Sequence, residues 1–351
     1  MTSAPPPAFE DPIGLAIIGA GLAGISAGRL ARRQGVTPLI FDKGRGIGGR
    51  LATRRATLDD GTVLRFDHGA QFMTARSPAL VAAMAGAEAA NLARRLPAPP
   101  LNGPSLHGQP PAPERDQPRW VGQPHWVGMG GMTAIAKHLA QGLDIRTGIR
   151  IGGVVRTGRG LWQLEDEDGL PLVQARRLIV TAPPEQTLDL LIDVLLPEGW
   201  RRRIASTIVA PCWALMLAVD EALPLPGPRW RPEDEAIAWI GDQTALPGRA
   251  AGPQSLVVHA TPHWSRIHLE ETPEVAAASL LRELERLIGR TITPRLIQAH
   301  RWRYALAEVP LGSLCLADPG TGLAIAGDWC IGGRAEAAVD SGRAAALALI
   351  G

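Results

Sequence analysis

Residues 15–24 read LAIIGAGLAG, and this stretch decides the fold. The apolar run Leu15–Ile18 predicts a buried strand, and the small and apolar residues after it predict a helix that continues to about Gln34. Gly35 ends the predicted helix, and residues 38–41 predict a second strand. The order of strand, glycine-rich turn, helix and strand is typical of a βαβ unit that binds a dinucleotide.

The three glycines of this turn have separate roles in such a unit. Gly19 permits the tight turn, Gly21 lets the backbone approach a pyrophosphate, and Gly24 lets the helix pack closely on the strand. Asp42 follows Gly19 by 23 residues and lies at the end of the second predicted strand, where a carboxylate accepts hydrogen bonds from both ribose hydroxyls. This pattern indicates an adenosine without a 2′-phosphate, and it leaves NAD and FAD open.

Two further glycine-rich segments favour FAD. Residues 44–50 read GRGIGGR and add a second anion-binding loop directly after the ribose carboxylate, which suits a longer dinucleotide. Residues 323–326 predict a strand that leads to Gly327 and Asp328, and a helix containing Glu336 follows. Asp328 in that position is expected to contact a ribityl or phosphate group, and the alternative is a helix cap.

Composition excludes several other classes of protein. The 351 residues predict about two domains, and 46% hydrophobic with 20% charged residues is the composition of a globular protein. Cys212, Cys315 and Cys330 are widely spaced, which argues against disulfides and against a metal site. The 36 basic residues are scattered and nearly balanced by 34 acidic ones, so we expect no nucleic-acid partner. The absence of a long apolar run and of a signal-peptide pattern at the start predicts a cytoplasmic protein with no membrane segment.

Strand-like runs recur through the rest of the chain. They lie at residues 161–165, 170–173, 178–181, 213–219, 236–240, 256–260 and 295–302, and the first two flank an Asp-Gly turn that predicts a hairpin. One amphipathic helix is predicted over Pro273–Ile288. The fold class is therefore α/β, with a Rossmann-type domain and an inserted α+β domain built on an antiparallel or mixed sheet.

Four segments carry a resemblance to a known family: FDKGRGIGGR at 41–50, FDHGAQ at 66–71, TAPP at 181–184 and AGDWCIGGR at 326–334. Together they resemble the bacterial renalase-like branch of the FAD amine oxidase superfamily. The resemblance implies non-covalent FAD, a glutathione-reductase-like Rossmann domain, and a β-sheet substrate domain inserted in pieces. The residues expected to bind FAD are Gly19, Gly21, Leu22, Ala23, Gly24, Asp42, Lys43, Arg45, Gly49, Arg50, His68, Gly69, Ala70, Gln71, Val154, Thr181, Ala182, Pro183, Gly327, Asp328, Gly333, Glu336 and Ala337.

Domain limits follow from this assignment. We predict a disordered tail over residues 1–12, an FAD-binding domain over 13–75, 127–185 and 305–351, and a substrate domain over 76–126 and 186–304. The proline-rich residues 97–118 are expected to form a long loop or a lid.

The lysine content bears on the reaction. Amine oxidases of this superfamily commonly hold a late-chain lysine near the flavin, but lysine occurs here only at Lys43 and Lys137. Renalase-like enzymes oxidise the 2- and 6-dihydro isomers of NAD(P)H to NAD(P)⁺ and reduce O₂ to H₂O₂, and the resemblance implies this activity. The lone pair on the ring nitrogen of a dihydropyridine already favours the loss of hydride. A site for this substrate therefore needs only stacking aromatics and hydrogen-bonding groups. We therefore expect a dihydronicotinamide and O₂ as the small-molecule partners.

The catalytic candidates are His68, Gln71, His259, Trp302 and Tyr304. Structural roles compete with these assignments, since His68 and Gln71 also suit capping, and an isolated histidine or tryptophan in a strand is often a core residue. Two other functions remain open from the sequence. One is an FAD-dependent amine oxidase or desaturase with another hydride donor, and the other is a non-catalytic flavin-binding redox module.

Overall fold

The computed structural model describes residues 11–97 and 123–351. The predicted disordered tail up to residue 10 and the proline-rich residues 98–118 lie outside the described residues. The strands are β1 (Leu15–Ile18), β2 (Pro38–Asp42), β3 (Arg54–Thr57), β4 (Val63–Phe66), β5 (Ala93–Leu96), β6 (His125–Gly128), β7 (Asp144–Thr147), β8 (Gly153–Arg156), β9 (Trp162–Glu165), β10 (Pro171–Ala175), β11 (Leu178–Val180), β12 (Ile208–Val219), β13 (Arg229–Trp230), β14 (Ile237–Asp242), β15 (Gln254–Ala260), β16 (Leu296–Val309), β17 (Leu316–Asp318) and β18 (Leu323–Ile325). The helices are α1 (Leu22–Arg33), α2 (Pro78–Ala89), α3 (Thr133–Leu139), α4 (Pro184–Leu190), α5 (Trp200–Ala205), α6 (Pro262–Ile267), α7 (Pro273–Ile288) and α8 (Ala335–Ile350), with short 3₁₀ turns at Gly49–Leu51 and Asp328–Cys330.

The chain divides into two compact units. The first contains the described part of Met1–Gly49 together with Leu139–Val209 and Ala307–Gly351, and the second contains the described parts of Arg50–His138 and Ala210–Leu306.

The first unit is built on a six-stranded sheet in the order β17-β18-β11-β1-β2-β7. The five strands from β18 to β7 are parallel, and β17 is an antiparallel edge strand. Every residue of β1, β11 and β18 is buried, as expected for parallel strands covered on both faces. The predicted βαβ unit and the predicted strands at 178–181 and 323–326 are confirmed. Strand β7 was not predicted from the sequence, because three of its four residues are exposed and the segment lacks an apolar run.

Alternate residues of these strands face two different layers. Leu15 and Ile17 pack with Ala27 and Leu30 of α1 and with Ala345 of α8. On the other face lies a cluster formed by strand, hairpin and helix residues, namely Ile18, Phe41, Val180, Trp162, Leu164, Leu191 and Ile204. The three-stranded sheet β10-β9-β8 contributes Trp162 and Leu164 to this cluster, and the predicted hairpin between β9 and β10 is confirmed.

The second unit is built on an antiparallel sheet in the order β13-β14-β15-β12-β16. One face of it packs against Ala276, Leu280 and Leu284 of the predicted helix α7, which is confirmed over Pro273–Ile288. The other face packs at one end against Leu64 and Phe66 of the β3–β4 hairpin. The α/β fold class with an additional domain on an antiparallel sheet is thus confirmed.

The limits of the two units differ from the predicted domain limits at three longer segments and at residues 305–306, which belong to the second unit. Residues 50–75 belong to the second unit, because the β3–β4 hairpin buries its apolar side chains on Met216, Ala218 and Val257. Residues 127–138 also belong to it, and the Met132 N–H donates to Asp67 there. Residues 186–209 belong to the first unit, because Leu191 and Ile204 of the α4–α5 region pack on the parallel sheet. Sequence patterns do not reveal which sheet such a short segment covers.

The contact between α1 and α8 generates a prediction about stability. A Cβ atom on Gly342 of α8 would overlap the carbonyl oxygen of Ala23, a backbone atom that cannot move aside. Gly342→Ala is therefore expected to lower the free energy of unfolding by about 1–3 kcal/mol through overpacking. Urea unfolding of the purified protein measures this change.

Gly86→Ala provides the matched control. Gly86 also lies inside a helix, and a Cβ there meets only the His138 ring at an ordinary 3.8 Å. It should leave stability unchanged or raise it by up to about 1 kcal/mol through helix propensity. Equal effects of the two substitutions would contradict the importance of the α1–α8 contact.

Candidate functional site

The carboxyl ends of four neighbouring parallel strands form a candidate binding edge in the first unit. β18, β11, β1 and β2 are adjacent in that order, so the turns that follow them meet at one edge of the sheet. Oγ1 of Thr181, after β11, lies 2.8 Å from the Ile18 carbonyl and 3.2 Å from the Gly19 carbonyl. Gly48, in the second glycine loop, donates its N–H to the Ala20 carbonyl at 2.8 Å. The predicted glycine turns are therefore neighbours in space.

Helix α1 begins at this edge without a side-chain cap. Gly21 is its N-cap residue, and the first turn contains no acidic side chain. Apart from Gly21 and its chain neighbours, no atom of the described residues lies within 4 Å of a Cβ built on Gly21, whereas a Cβ on Gly24 would overlap the carbonyl oxygen of Gly19. Gly19 itself has a φ of +104°. The first N–H groups of a helix have no partner within the helix, so this open end can bind a phosphate.

Asp42, at the end of β2, joins two of the turns. Its Oδ2 accepts the Ala20 N–H at 2.6 Å and its Oδ1 accepts the Gly44 N–H at 2.6 Å. The side chain is only half-buried. Each carboxylate oxygen has a second lone pair, so Asp42 can still accept two hydroxyl hydrogen bonds.

The turn after β18 adjoins the turn after β11. The N–H of Ala326 donates to the Val180 carbonyl at 2.9 Å, and Nε1 of Trp329 donates to the Ala182 carbonyl at 3.0 Å. Gly327 donates its N–H to Oγ of Ser341 at 2.9 Å, which ties this turn to α8. Asp328 and Glu336 in this region are both buried.

The other predicted cofactor residues are spread over both units. In the first unit, Leu22 and Ala23 open α1, Val154 is buried in β8, and Lys43 donates to Oε1 of Gln186 at 2.9 Å. Arg45 is exposed, and Gly49 lies in a 3₁₀ turn. Pro183 directly precedes α4. Gly333 lies two residues before α8, and Ala337 lies in the first turn of that helix. Arg50, His68, Gly69, Ala70 and Gln71 belong to the second unit instead, where the Ala70 N–H donates to the Arg50 carbonyl at 2.8 Å.

In the second unit, one face of the antiparallel sheet carries an imidazole and indole surface. His259 on β15 pairs with Trp239 on β14 and with Ala214 on β12, so these residues share a face. His300 and Trp302 lie on β16, the neighbour of β12, with ring centroids 4.5 Å apart. Tyr304 follows on the same strand at the same parity.

The backbone of His68 is fixed over this surface. Its carbonyl oxygen accepts a hydrogen bond from Nε1 of Trp302 at 2.9 Å and lies 3.0 Å from Nε2 of His259. Because a carbonyl only accepts, Nε2 of His259 carries the proton and its Nδ1 carries the lone pair. The His68 ring contacts the rings of His300 and Trp302 at centroid distances of 4.8 and 5.0 Å. The structure thus brings together three of the five predicted catalytic residues.

A buried ion pair holds the start of the same segment. Asp67 pairs with Arg249, and both side chains are almost fully buried. The other carboxylate oxygen of Asp67 accepts hydrogen bonds from Oγ1 of Thr53 at 2.6 Å and from the Met132 N–H at 2.9 Å. Removing one member of such a pair leaves a buried charge without compensation, so this network fixes the segment firmly.

Phe72, His125 and Trp239 form a second aromatic group. The Phe72 and His125 rings stack at 3.7 Å, and the Phe72 and Trp239 rings are 5.6 Å apart. None of these three residues was predicted from the sequence, nor were His300 and Gln243. The only sequence signal for His300 is its i, i+2 spacing from the predicted Trp302, whereas contacts between distant segments define the other four residues.

The histidines of this surface are neutral near pH 7. Burial and the neighbouring His300 and Arg54 lower the pKa of His68 to about 3. Burial likewise lowers the pKa of His259 to about 4, and burial together with Arg229 lowers the pKa of His125 to about 4. The surface therefore offers flat rings and hydrogen-bonding groups without imidazolium charge.

Two kinds of feature are absent from the part of the chain that the structure describes. Among residues 11–97 and 123–351, no group of three or more His, Cys, Asp or Glu side chains is arranged to hold a metal ion. Within the same ranges, every helix is too short or too polar to cross a bilayer.

Comparison with known families identifies the cofactor. Residues 17–86 match the model of the NAD(P)-binding Rossmann-like domain, and residues 114–350 match the model of the flavin containing amine oxidoreductases. The chain belongs to the flavin-containing amine oxidoreductase family. FAD as cofactor, predicted from the three glycine-bearing turns, is thus confirmed. The open α1 terminus and the remaining lone pairs of Asp42 fit a dinucleotide of this kind.

Several solved structures share the fold of this chain. Cyclohexylamine oxidase from Brevibacterium oxydans IH-35A has a TM-score of 0.71 at 13% identity, and the match covers 97% of this chain and 99% of that one. A protein designated as a protoporphyrinogen oxidase from Exiguobacterium sp. 255-15 has a TM-score of 0.70 at 16% identity, with 98% and 99% covered. Putrescine oxidase bound to putrescine has a TM-score of 0.68 at 16% identity, with 95% and 98% covered. At these identities the amine oxidoreductase fold is shared.

The geometry of Asp42 predicts its effect on cofactor affinity. An Asn side chain has one acceptor oxygen, so Asp42→Asn would turn an amide N–H toward a backbone N–H and lose one ribose contact. We expect FAD to bind about 10-fold to 100-fold more weakly, measured by flavin fluorescence on titration of the deflavinated protein. Asp144→Asn on the adjacent strand, an exposed partner of Arg146, should retain full affinity. Equal affinity of the two variants would exclude Asp42 from the cofactor site.

The lowered pKa of His259 predicts a dependence of stability on pH. The unfolded chain takes up a proton on this histidine below about pH 6.5, whereas the folded chain does so only near its pKa of about 4. Stability is therefore lost as pH falls from about 6.5 to about 4. His259→Gln should make this loss smaller, measured by urea unfolding at several pH values across that window. An unchanged pH dependence would show that His259 does not contribute.

Proposed function

We propose that this FAD-dependent oxidoreductase oxidises the 2- and 6-dihydro isomers of NAD(P)H to NAD(P)⁺, as the renalase-like sequence motifs imply. In the balanced reaction, one dihydronicotinamide, one proton and one O₂ give one NAD(P)⁺ and one H₂O₂. FAD, when bound, would supply the hydride acceptor and the route by which both electrons reach O₂.

The observation that carries the proposal is the ring-lined surface in the second unit, whose imidazoles are neutral at pH 7. Trp239, His259, His300 and Trp302 present flat rings, and the lowered pKa of His259 keeps its imidazole neutral at pH 7. A dihydropyridine is flat and uncharged at its ring, so it suits such a surface. Its ring becomes cationic as hydride leaves, and a neutral imidazole avoids the repulsion that an imidazolium would exert.

The distribution of ionisable groups supports the same substrate. The rings and amides described in the second unit include no carboxylate that would pair with an ammonium group; they belong to His68, Gln71, Phe72, His125, Trp239, His259, His300, Trp302 and Tyr304. Asp67 lies nearby, but Arg249, Thr53 and Met132 occupy its carboxylate. The chain also has no lysine after Lys137. A dihydropyridine needs no base to remove a proton before hydride transfer.

Amine oxidation is the second candidate, because the family includes amine oxidoreductases and the aromatic rings could bind an ammonium group by cation–π attraction. Cyclohexylamine and putrescine are suitable probes for this candidate, since they are substrates named for proteins of the same fold.

Anaerobic reduction of the flavin tests the two candidates directly. The holoprotein is mixed with 2- and 6-dihydro NADH isomers, with ordinary 4-dihydro NADH, or with each amine, and the visible flavin band is followed by stopped flow. We expect rapid bleaching by the isomers and slow or no bleaching by ordinary NADH and by the amines. Admission of O₂ should restore the band and release one H₂O₂ for each isomer oxidised.

Each alternative outcome has a definite meaning. Bleaching by an amine with no response to the isomers would replace the proposal with amine oxidation. Equal bleaching by ordinary NADH would show that the protein is a general NADH oxidase rather than an enzyme for the isomers.

A further inference from the structure

Gln243, a residue on the loop after β14, has every polar atom of its side chain engaged. The side chain is buried, with 1% of its surface exposed. Its Oε1 accepts the Asp67 N–H at 2.9 Å. Its Nε2 donates to Oε1 of Gln71 at 3.0 Å and approaches the Gly241 carbonyl at 3.3 Å.

These partners leave only one orientation for the Gln243 amide. A backbone N–H can only donate, so the atom facing Asp67 must be the oxygen. A backbone carbonyl can only accept, so the atom facing Gly241 must be the nitrogen. The amide nitrogen of Gln243 therefore donates to Gln71, and the atom of Gln71 that accepts this hydrogen bond is its Oε1.

The orientation of Gln71 follows from that of Gln243. Its Oε1 is occupied, so its Nε2 points away from Gln243 with two N–H donors. Gln71 is buried, with 7% of its surface exposed, and its Nε2 has no hydrogen-bond partner among the described residues. A Cβ on Gly241 would overlap the Gln71 oxygen, so glycine at 241 leaves the room that this amide occupies. A buried donor without a partner destabilises the protein, and a bound acceptor would remove that cost.

We propose that Gln71 donates a hydrogen bond to the carboxamide oxygen of the dihydronicotinamide substrate, and that Gln243 is the positioning residue that fixes Gln71 as a donor. The proposal rests on the proposed function, because it assigns the recognition of that substrate. In a dihydronicotinamide the ring nitrogen is conjugated with the carboxamide and enriches its oxygen, and oxidation withdraws this charge. A donor at Gln71 therefore binds reduced substrate more tightly than product, so it acts on substrate affinity more than on the rate of hydride transfer.

Gln243→Glu tests the orientation with almost no change of shape. The ionised carboxylate introduced by this substitution can accept from Asp67 but cannot donate to Gln71, so the Gln71 amide would rotate and present its oxygen to the substrate. Burial raises the pKa of a carboxyl group, and at lower pH its O–H can again donate to the Gln71 oxygen. The variant should therefore lose substrate affinity about 10-fold to 100-fold at high pH and regain most of it at low pH.

Gln243→Met is the comparison that removes the hydrogen bond without inverting it. It should weaken substrate binding by a smaller factor that does not depend on pH. Gln174→Glu is the matched control outside the site, because Nε2 of Gln174 donates to Oε1 of Gln163 at 3.0 Å in the β9–β10 hairpin, an amide pair of the same kind. That control should keep wild-type affinity at every pH.

The experiment measures anaerobic flavin reduction by the 2- and 6-dihydro isomers of NADH and of its thioamide analogue, with the apparent Kd and the limiting rate obtained separately. In the wild type the Kd of the thioamide should exceed the Kd of the carboxamide, since sulfur is a weak acceptor. The ratio of these two Kd values should fall toward one in Gln243→Glu at high pH and in Gln71→Met. The limiting rate should change much less than the Kd.

The outcomes separate this inference from the proposed function. If no isomer reduces the wild-type flavin, the proposed function is wrong. If the isomers do reduce it but the preference for oxygen over sulfur is the same in wild type, Gln243→Glu and Gln71→Met, the function stands and the role of Gln71 is overturned. A pH-independent loss in Gln243→Glu equal to that in Gln243→Met would likewise overturn the orientation mechanism.

Discussion

The arrangement of the second unit depends on how the backbone from Asp67 to Gln71 is held against the antiparallel sheet. The Asp67–Arg249 ion pair anchors one end, and the His68 carbonyl accepts hydrogen bonds from His259 and Trp302. A buried carboxylate and a buried carbonyl are costly to leave without partners, so this segment has few alternative conformations of comparable energy. Each proposed substrate contact lies on this segment or on the strands that bind it.

The two units offer different chemistry for binding. In the first unit, backbone groups dominate: an open helix end, turns joined by N–H and carbonyl groups, and Asp42 as the one carboxylate that ties two turns together. Such a site suits phosphates and riboses, which FAD contains. In the second unit, side-chain rings and amides dominate, and burial keeps His68 and His259 uncharged through a lowered pKa. Such a surface suits a flat, neutral ring.

Sequence patterns predicted the limits of an element closely where one local pattern marks the whole element. Strand β1 and helix α7 have the predicted limits, because continuous apolar runs and a clear amphipathic period mark them. The patterns failed for β7, whose residues are mostly exposed, and for the assignment of residues 50–75, whose packing partners lie far along the chain. Of the ring-bearing surface, the sequence identified His68, His259 and Trp302 but not Phe72, His125 or Trp239, since an aromatic residue in a strand has the same local pattern in a core and in a site.

The sequence by itself determined the cofactor and the family, because a glycine turn works through backbone geometry that the local order of residues already specifies. Only the tertiary structure decided the charge and the hydrogen-bonding direction of the second unit's surface. Burial sets the protonation of His259, and the Asp67 N–H and the Gly241 carbonyl set which way the Gln243 and Gln71 amides point. These effects come from groups that are distant in the chain, so no local pattern encodes them.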